Sequence, residues 1–446
     1  MNTKKQHDFT KGNILKQLIV FSGPLIIANL LQTSYQFVDS LWVGNLLGDE
    51  ALGAVGVAST IIFTMLAFAI GLSNASLTIL SQQKGKKDEA GLKRYLNGFV
   101  VVLTVLALVM GTFGYVFSEG LLRLLGTPSS MIKEATTYLR INFVGILFLF
   151  GYNFISTVLR AIGDSRTPLR IVAIAVVCNI VLDPLLIWGA QLGVAGAAYA
   201  TIFSQGLSCV IGIALIIKRK LAPFPIPYIP KSKEVKLILN LGIPSGLQMM
   251  MISAGMAAIM TVVTGFGPAV VAGYSAAQRL DSIIMLPAHA LGTAVNSMAG
   301  QNIGVGNYKR VHQITKVAVL YNFVIMFALG LLTIPLAKYG ISLFVQEVDA
   351  ASFGTTFIQI VALCYPFLGI NFVLNGIVRA SGAMYQVLFL NIISFWVLRY
   401  PLSAFCAKLF GEAGIAIGIG SSFVISSILA YMYFRFGKWR EKELGV

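Results

Sequence analysis

The sequence predicts an all-α polytopic membrane protein with twelve transmembrane helices arranged as two parallel six-helix repeats. Hydrophobic residues make up 57% of the chain and charged residues only 11%, whereas ordinary globular chains carry about 25% charged residues. The apolar residues form long runs, and those at 99–117 and 318–337 contain no charge. Each run approaches the roughly 20 residues that cross a bilayer core. Short sequence patterns also recur in the two halves of the chain.

Twelve apolar stretches are candidate membrane spans. Those longer than about 25 residues indicate helices that are tilted or extend beyond the membrane plane. The predicted spans lie near 14–43, 52–81, 95–117, 136–159, 168–189, 194–217, 236–264, 268–299, 311–337, 353–378, 385–408 and 413–435.

The basic residues cluster in the head, in every second loop and in the tail, whereas the intervening loops hold acids such as Glu119 and Glu347. Because cytoplasmic loops carry an excess of Lys and Arg, this pattern predicts a multi-pass protein of the cell membrane with both termini in the cytoplasm. The net charge of +16 is therefore explained by the excess of Lys and Arg in the predicted cytoplasmic segments. A nucleic-acid binder would concentrate its basic residues on one face or groove, and no nucleic-acid partner is expected.

An internal repeat relates the two halves at an offset of about 219 residues. VLRAIGDS at 158–165 matches IVRASGAM at 377–384, and SQQKGKK at 81–87 matches GQNIGVG at 300–306. Six spans per repeat give both halves the same orientation, with a binding site expected between them near the midplane. The predicted domains are an amino-terminal lobe (1–217), a proline-rich cytoplasmic linker (218–236) and a carboxy-terminal lobe (237–446).

Three carboxylates, Asp39, Asp183 and Asp281, fall inside predicted spans. An intramembrane carboxylate costs about 2.5–3.5 kcal/mol on insertion scales, so each one is a functional candidate. Asp39 follows Gln32 and Tyr35 at helical spacing, which places all three on one face of the first span. We expect this polar face to be functional and to contact a bound substrate. The alternative places Asp39 at the outer interface.

Asp183 lies four residues after Asn179 and directly before Pro184. Asn179 and Asp183 therefore share a helical face, and Pro184 removes a backbone hydrogen bond and favours a kink. The alternative role of Asp183 is to stabilise that kink. If Asp39 and Asp183 face one cavity, their mutual repulsion disfavours ionising both, and the two carboxyls should titrate as a coupled pair.

The second half offers further candidates for substrate contact, namely Gln278, Asp281 and Met250. Asp281 follows Arg279 by two residues, so an ion pair with Arg279 or with another helix explains its presence equally well. Met250 belongs to a methionine-rich stretch that suits a cavity accepting several apolar shapes. Ordinary packing is the commoner role of methionine in a membrane helix.

Several catalytic motifs are absent from the sequence. The chain has no GxxxxGK[ST] loop for ATP, no HExxH or paired CxxC metal motif and no GxSxG nucleophile elbow. The four cysteines show no paired spacing that would indicate a disulfide framework. We therefore expect neither an enzyme nor a bound cofactor.

With these residues in view, the chain resembles the multidrug and toxic compound extrusion family. The resemblance rests on LLQTSYQFVDSLWVGNLLG in the first span, on LRAIGDS and VRASGAM, and on the doubled six-span plan, and it covers essentially the whole chain. It implies two lobes that form a V and alternate between inward- and outward-facing states. It also implies a polar ion-coupling cluster in the amino-terminal lobe, at positions matching Asp39, Tyr138, Asn179, Asp183 and Thr201.

One departure from the family pattern bears on the coupling ion. Some members carry a sodium site built on carboxylates of the seventh and tenth spans, but 236–264 and 353–378 hold no acid within the membrane. The pattern is closer to the DNA-damage-inducible (DinF-like) branch, in which coupling is attributed to the first-span aspartate. This favours H⁺ as the coupling ion, although the same oxygen atoms are also suitable ligands for Na⁺.

The resulting hypothesis is a monomeric antiporter, embedded in the lipid bilayer, that exports small amphipathic or cationic organic compounds in exchange for H⁺. Coupling to Na⁺ is one alternative. A flippase for a lipid-linked precursor is another, although only Arg279, Arg399 and Arg140 lie near membrane depth to meet its phosphates.

Overall fold

The computed structural model describes residues 7–444, which form helices and no strands. Residues 1–6 and 445–446, the outer ends of the predicted head and tail, lie outside the described residues. The α-helices, numbered along the chain, are α1 (Ile14–Leu47), α2 (Asp49–Lys86), α3 (Glu89–Leu124), α4 (Ile132–Val144), α5 (Ile146–Ala161), α6 (Arg166–Pro184), α7 (Val194–Arg219), α8 (Ser232–Thr264), α9 (Pro268–Ile284), α10 (Leu286–Gly304), α11 (Tyr308–Ser342), α12 (Val348–Ala362), α13 (Tyr365–Ala380), α14 (Met384–Ile392), α15 (Tyr400–Phe410) and α16 (Ala413–Phe436).

These helices confirm the predicted all-α membrane fold. Within residues 7–444, nine helical segments are long and apolar enough to cross a membrane, and two bent helix pairs raise that number to eleven. The remaining predicted span, 268–299, folds as α9 and α10. Two spans contain π-helical turns, at Leu185–Gly189 after α6 and at Ile393–Arg399 between α14 and α15.

Three spans that the sequence predicts as continuous are broken in the structure. α4 and α5 meet at Gly145 with a bend of 51°, and α12 and α13 meet near Cys364 with a bend of 56°. α9 and α10 are separated at Met285. Pro366 and Pro287 lie in the first turn of the helix after the break, where proline is tolerated because that N–H needs no helical partner. The first turn of α5 contains no proline. At Gly145 the chain instead lies close to α7, since a Cβ there would be 2.4 Å from Ile202.

The chain divides into two compact units. Among the described residues, unit 1 comprises His7 and Ile27–Gly242, and unit 2 comprises Asp8–Ile26 and 243–444. The two units repeat the same packing pattern: α2 contacts α4 and α5 while α6 contacts α7 in unit 1, and α9 and α10 contact α12 and α13 while α15 contacts α16 in unit 2. Gly163 and Gly382, equivalent in the predicted repeat, both have left-handed backbones, with φ of 85° and 88°.

Candidate functional site

The polar centre of unit 1 is a pair of carboxyls from two different helices. Asp183, the penultimate residue of α6, has no exposed surface. One turn earlier, Asn179 Nδ2 donates a hydrogen bond to Asp183 Oδ2 at 3.1 Å. The Asp39 carboxyl, on α1, lies within hydrogen-bonding range of the Asp183 and Asn179 side chains. The structure therefore brings together three of the residues that the sequence singled out.

The end of α6 explains how Asp183 is held in place. Pro184 terminates the helix, and the chain continues as the π-helical turn Leu185–Gly189. π-Helical turns inside membrane helices are often found at functional sites. α7 approaches this turn closely, because a Cβ on Gly196 would lie 2.7 Å from the carbonyl of Leu186. Pro184, where the sequence predicts a kink, is thus followed by a π-helical turn that lies close to α7.

Three oxygen atoms of this cluster are buried without a hydrogen-bond partner in the described chain, namely Asp39 Oδ1, Asn179 Oδ1 and Asp183 Oδ1. Neither carboxyl forms an ion pair with a basic residue within residues 7–444. Buried polar atoms are almost always satisfied, and a buried charge is costly unless it is paired. Such a cluster favours the binding of a positive species, either a proton or a small cation.

Asp39 also lines a cavity of about 320 Å³ in unit 1. It is the one acidic or basic side chain among the described residues that line this cavity. Its polar neighbours come from α1, α2, α4 and α7, and are Tyr35, Gln36, Ser40, Ser59, Tyr138, Asn142, Thr201 and Gln205. The rest of the lining is apolar and includes Phe63, Met65 and Phe143.

A second, much smaller cavity of about 20 Å³ adjoins the first, with Tyr35, Thr201 and Gln205 lining both. Gln32 and Asn179 also line the small cavity. Its volume suits about one water molecule, and its polar lining can supply the several hydrogen bonds that a buried water needs. The predicted stripe of Gln32, Tyr35 and Asp39 therefore extends along the polar side of both cavities.

The remaining candidates, Met250, Gln278 and Asp281, belong to unit 2. Asp281 is buried and accepts a hydrogen bond from the Tyr365 hydroxyl at 2.6 Å. Within residues 7–444 it forms no ion pair with Arg279, which is exposed and lies over the ring of Phe344 at 5.7 Å. The interhelical partner that the sequence left open is thus a tyrosine of α13.

A buried arginine accompanies Asp281 in unit 2. The Arg399 guanidinium carbon lies 3.8 Å from the ring centre of Phe395 and 4.7 Å from that of Phe423. Its Nε donates to Ser422 Oγ at 3.3 Å. Cation–π contacts of this kind partly replace the hydration that a buried guanidinium loses.

Sequence reasoning missed several residues that line the main cavity, namely Gln36, Ser40, Ser59, Asn142 and Gln205. Two of them carried a usable signal. Asn142 lies four residues after Tyr138, and Gln205 lies four residues after Thr201. Residues four apart share a helical face. Asn142 and Gln205 therefore lie on the same faces as two residues that the sequence analysis had already identified.

Both halves of the sequence match one known family. The sequence matches the MatE family over residues 24–185 and again over residues 244–405. The chain belongs to this family, the multidrug and toxic compound extrusion (MATE) family. The two matches correspond to the two halves of the predicted repeat.

Relatives extend this relationship over the full chain. The protein is 58% identical over 440 residues to the probable multidrug resistance protein YpnP of Bacillus subtilis, a match covering 99% of each chain. It is 26% identical over 439 residues to an FAD transporter of Shewanella oneidensis, a match covering 96% of each chain. Its fold matches an outward-facing multidrug resistance MATE transporter with a TM-score of 0.92 at 22% identity, covering 98% of both chains. As a member of the MATE family, the protein is a multi-pass membrane transporter and not an enzyme, as the sequence predicted.

Proposed function

We propose that this MATE transporter is a secondary antiporter that exports amphipathic and cationic organic compounds in exchange for H⁺ by alternating access, with Asp39 as the coupling carboxylate. One observation carries the proposal. Asp39 lines the cavity of unit 1 and also lies within hydrogen-bonding range of the fully buried Asp183. The Asp39 side chain can therefore contact a substrate in the cavity and also interact with the Asp183 carboxyl.

The cavity supports the substrate class. Drug-sized pockets are typically about 300–1,000 Å³ and mostly apolar, with a few polar groups that fix orientation. The unit 1 cavity, at about 320 Å³, combines one carboxylate with Tyr35, Tyr138, Phe63 and Phe143. Aromatic rings attract organic cations through their faces. A lone carboxylate among such rings suits a ligand that is apolar over most of its surface and carries a positive charge.

The carboxyl pair supports the coupling. The two carboxyls lie close enough that, when one of them is protonated, it can donate a hydrogen bond to the other. With no basic residue paired to either group, the negative charge of the pair attracts both the proton and the cationic substrate. Exchange follows if the protonated and the substrate-bound forms favour different conformers of the protein.

Na⁺ coupling is the second candidate, and a specific observation favours it. The three unpartnered oxygens of Asp39, Asn179 and Asp183 are hard ligands of the kind that alkali and alkaline-earth cations prefer. A flippase for a lipid-linked precursor has less support, because neither Lys nor Arg occurs among the described residues lining the unit 1 cavity. Phosphate recognition normally employs such residues.

The decisive experiment uses the purified protein in proteoliposomes with a fluorescent organic cation as substrate. A pH gradient is imposed in the absence of Na⁺, and a Na⁺ gradient is imposed separately at equal pH. We expect substrate accumulation with the pH gradient alone. Accumulation with the Na⁺ gradient alone identifies Na⁺ as the coupling ion, and accumulation with neither gradient contradicts antiport of this substrate.

A further inference from the structure

The segment between α7 and α8 is an ordered strap that exposes two isoleucines almost completely. Residues 221–230, here called the strap, follow α7 and contain Pro223, Pro225, Pro227 and Pro230. Alternating prolines favour the polyproline II conformation, in which residues three apart lie on the same face. Ile226 and Ile229 have this spacing, and they are 89% and 92% exposed.

Contacts with unit 1 hold the strap in place. Asn97 is buried in α3, and its Nδ2 donates to the Tyr228 carbonyl at 2.9 Å. In return, the Tyr228 N–H donates to Asn97 Oδ1 at 3.0 Å. Phe224 contacts the ring of Phe154 edge-on, with ring centres 6.4 Å apart. The exposed isoleucines are therefore presented by an anchored backbone.

Positive charge flanks the strap on both sides. Three exposed basic residues precede it and three follow it, namely Lys218, Arg219, Lys220, Lys231, Lys233 and Lys236. The one acidic residue in this stretch, Glu234, is 4% exposed and accepts a hydrogen bond from the Lys231 N–H at 3.0 Å. The accessible surface of the segment is thus basic and apolar.

We infer that the strap inserts Ile226 and Ile229 into the headgroup region of the adjacent leaflet and that the flanking basic residues bind its anionic phospholipids. α7 and α8 both contain membrane-spanning stretches, so the strap that joins them lies at a membrane face. The excess of Lys and Arg assigns that face to the cytoplasmic leaflet, which carries anionic lipids and attracts polybasic segments. Stable attachment of a peripheral segment takes two signals, and an apolar anchor beside a polybasic patch supplies both.

The same chemistry argues against a soluble partner for this surface. The two isoleucines lie within a few residues of helices that enter the bilayer, so lipid reaches them without a second macromolecule. The six positive charges that surround the two isoleucines attract a negatively charged surface. A second copy of this chain would present the same positive charges and repel the strap.

Spin labels on the full-length protein test this inference. The four native cysteines, all free thiols, are replaced by alanine, and single cysteines for labelling are introduced as Ile226→Cys and Ile229→Cys. The protein is reconstituted in nanodiscs of phosphatidylcholine alone and of phosphatidylcholine with roughly a third phosphatidylglycerol, an anionic lipid. Accessibility of the label to oxygen and to a water-soluble nickel complex reports its depth.

We expect both labels to move from water into the headgroup region when phosphatidylglycerol is present. Adding Lys218→Gln, Arg219→Gln and Lys220→Gln should return the labels toward water. The matched control, Lys86→Gln, Lys87→Gln and Lys93→Gln, removes the same charge from the end of α2 and the start of α3 and should leave the depth unchanged. Labels that stay in water in both lipids, that insert equally in both, or that show spin–spin broadening from a second copy would overturn the inference.

Discussion

Asn179 Nδ2 donates to Asp183 Oδ2 at 3.1 Å, one helical turn along α6, and this is the one protein donor that the structure gives the Asp183 carboxyl within residues 7–444. The other oxygen, Oδ1, is buried without a partner. Asn179 therefore orients a carboxyl that the fold otherwise leaves unsatisfied. The pair links the end of α6 to Asp39 on α1, which faces the cavity.

The first prediction concerns that amide. Asn179→Ala removes the donor and leaves Asp183 buried and unsatisfied, which should cost about 1–3 kcal/mol of stability. We expect a lower thermal unfolding midpoint in detergent together with reduced substrate exchange. Asn153→Ala is the matched control, because Asn153 Nδ2 donates to the Leu149 carbonyl at 2.9 Å within its own helix. Equal losses in the two variants would contradict an orienting role for Asn179.

The energetics of the membrane explain why the carboxylates could be predicted from the sequence. An acid inside an apolar run is costly, so Asp39 and Asp183 stood out without any knowledge of the fold. Asn142 and Gln205 did not stand out, because a neutral amide in a membrane helix has a much smaller cost. The proximity of Asp39 to Asp183 joins side chains from two different helices, and neither span encodes that arrangement alone.

The helix breaks show a similar limit. The prolines at 287 and 366 were visible in the sequence, yet proline is common in membrane helices, and its presence alone does not distinguish a kink from a break. Gly145 carried even less signal. The residue that approaches it closely, Ile202, belongs to another helix 57 positions along the sequence. The repeat was more informative, because the offset of about 219 residues relates α3, α5 and α7 to α11, α13 and α16.

The second prediction concerns Asp39. Asp39→Asn keeps the shape of the side chain but removes the group that binds and releases a proton, so coupled export should be lost while folding and membrane insertion are preserved. One charge crossing about 100 mV supplies about 2.3 kcal/mol, which sustains a roughly fifty-fold gradient of an uncharged substrate. The measurement is accumulation in proteoliposomes. Asp39→Glu, which keeps the acid, should retain part of the coupling, and wild-type accumulation by Asp39→Asn would exclude Asp39 as the coupling group.

The third prediction tests whether Asp281 is structural. The Tyr365 hydroxyl donates to Asp281 Oδ1 at 2.6 Å, and both side chains are buried. Tyr365→Phe removes a hydrogen bond to an acidic group and should lower stability by about 1.5–3 kcal/mol. Thermal unfolding in detergent measures the loss. If Asp281 is structural, the double variant with Asp281→Asn should be about as stable as Tyr365→Phe alone, and proton–substrate coupling should persist. Loss of coupling with unchanged stability would instead assign Asp281 to transport.

The fourth prediction concerns the break between α4 and α5. A Cβ at Gly145 would lie 2.4 Å from Ile202 on α7, and β-branched side chains have little rotamer freedom in a helix. Gly145→Ala should therefore destabilise the protein by about 1–3 kcal/mol through overpacking. Adding Ile202→Ala should recover much of the unfolding midpoint. A second substitution that lowers the midpoint further would show that the close approach is not the cause.

The last prediction treats Asp39 and Asp183 as one unit. Because the two carboxyls lie within hydrogen-bonding range in a buried site, repulsion and low dielectric both disfavour a second negative charge, and the pair should share one proton. Removing either carboxyl then alters the site that the other occupies. The measurement is substrate affinity in detergent as a function of pH for wild type, Asp39→Asn, Asp183→Asn and the double variant. Coupling predicts that the changes in substrate affinity caused by the two single substitutions do not add up to the change in the double variant.

Protonation of the pair changes the charge directly before Pro184, where the π-helical turn offers the backbone alternative hydrogen-bond partners. The proton and the substrate can therefore favour different conformers of the protein without touching each other. Additive shifts, or wild-type affinity that does not vary between about pH 5 and 9, the range open to a buried carboxyl pair, would leave Asp183 with a structural role beside the proline.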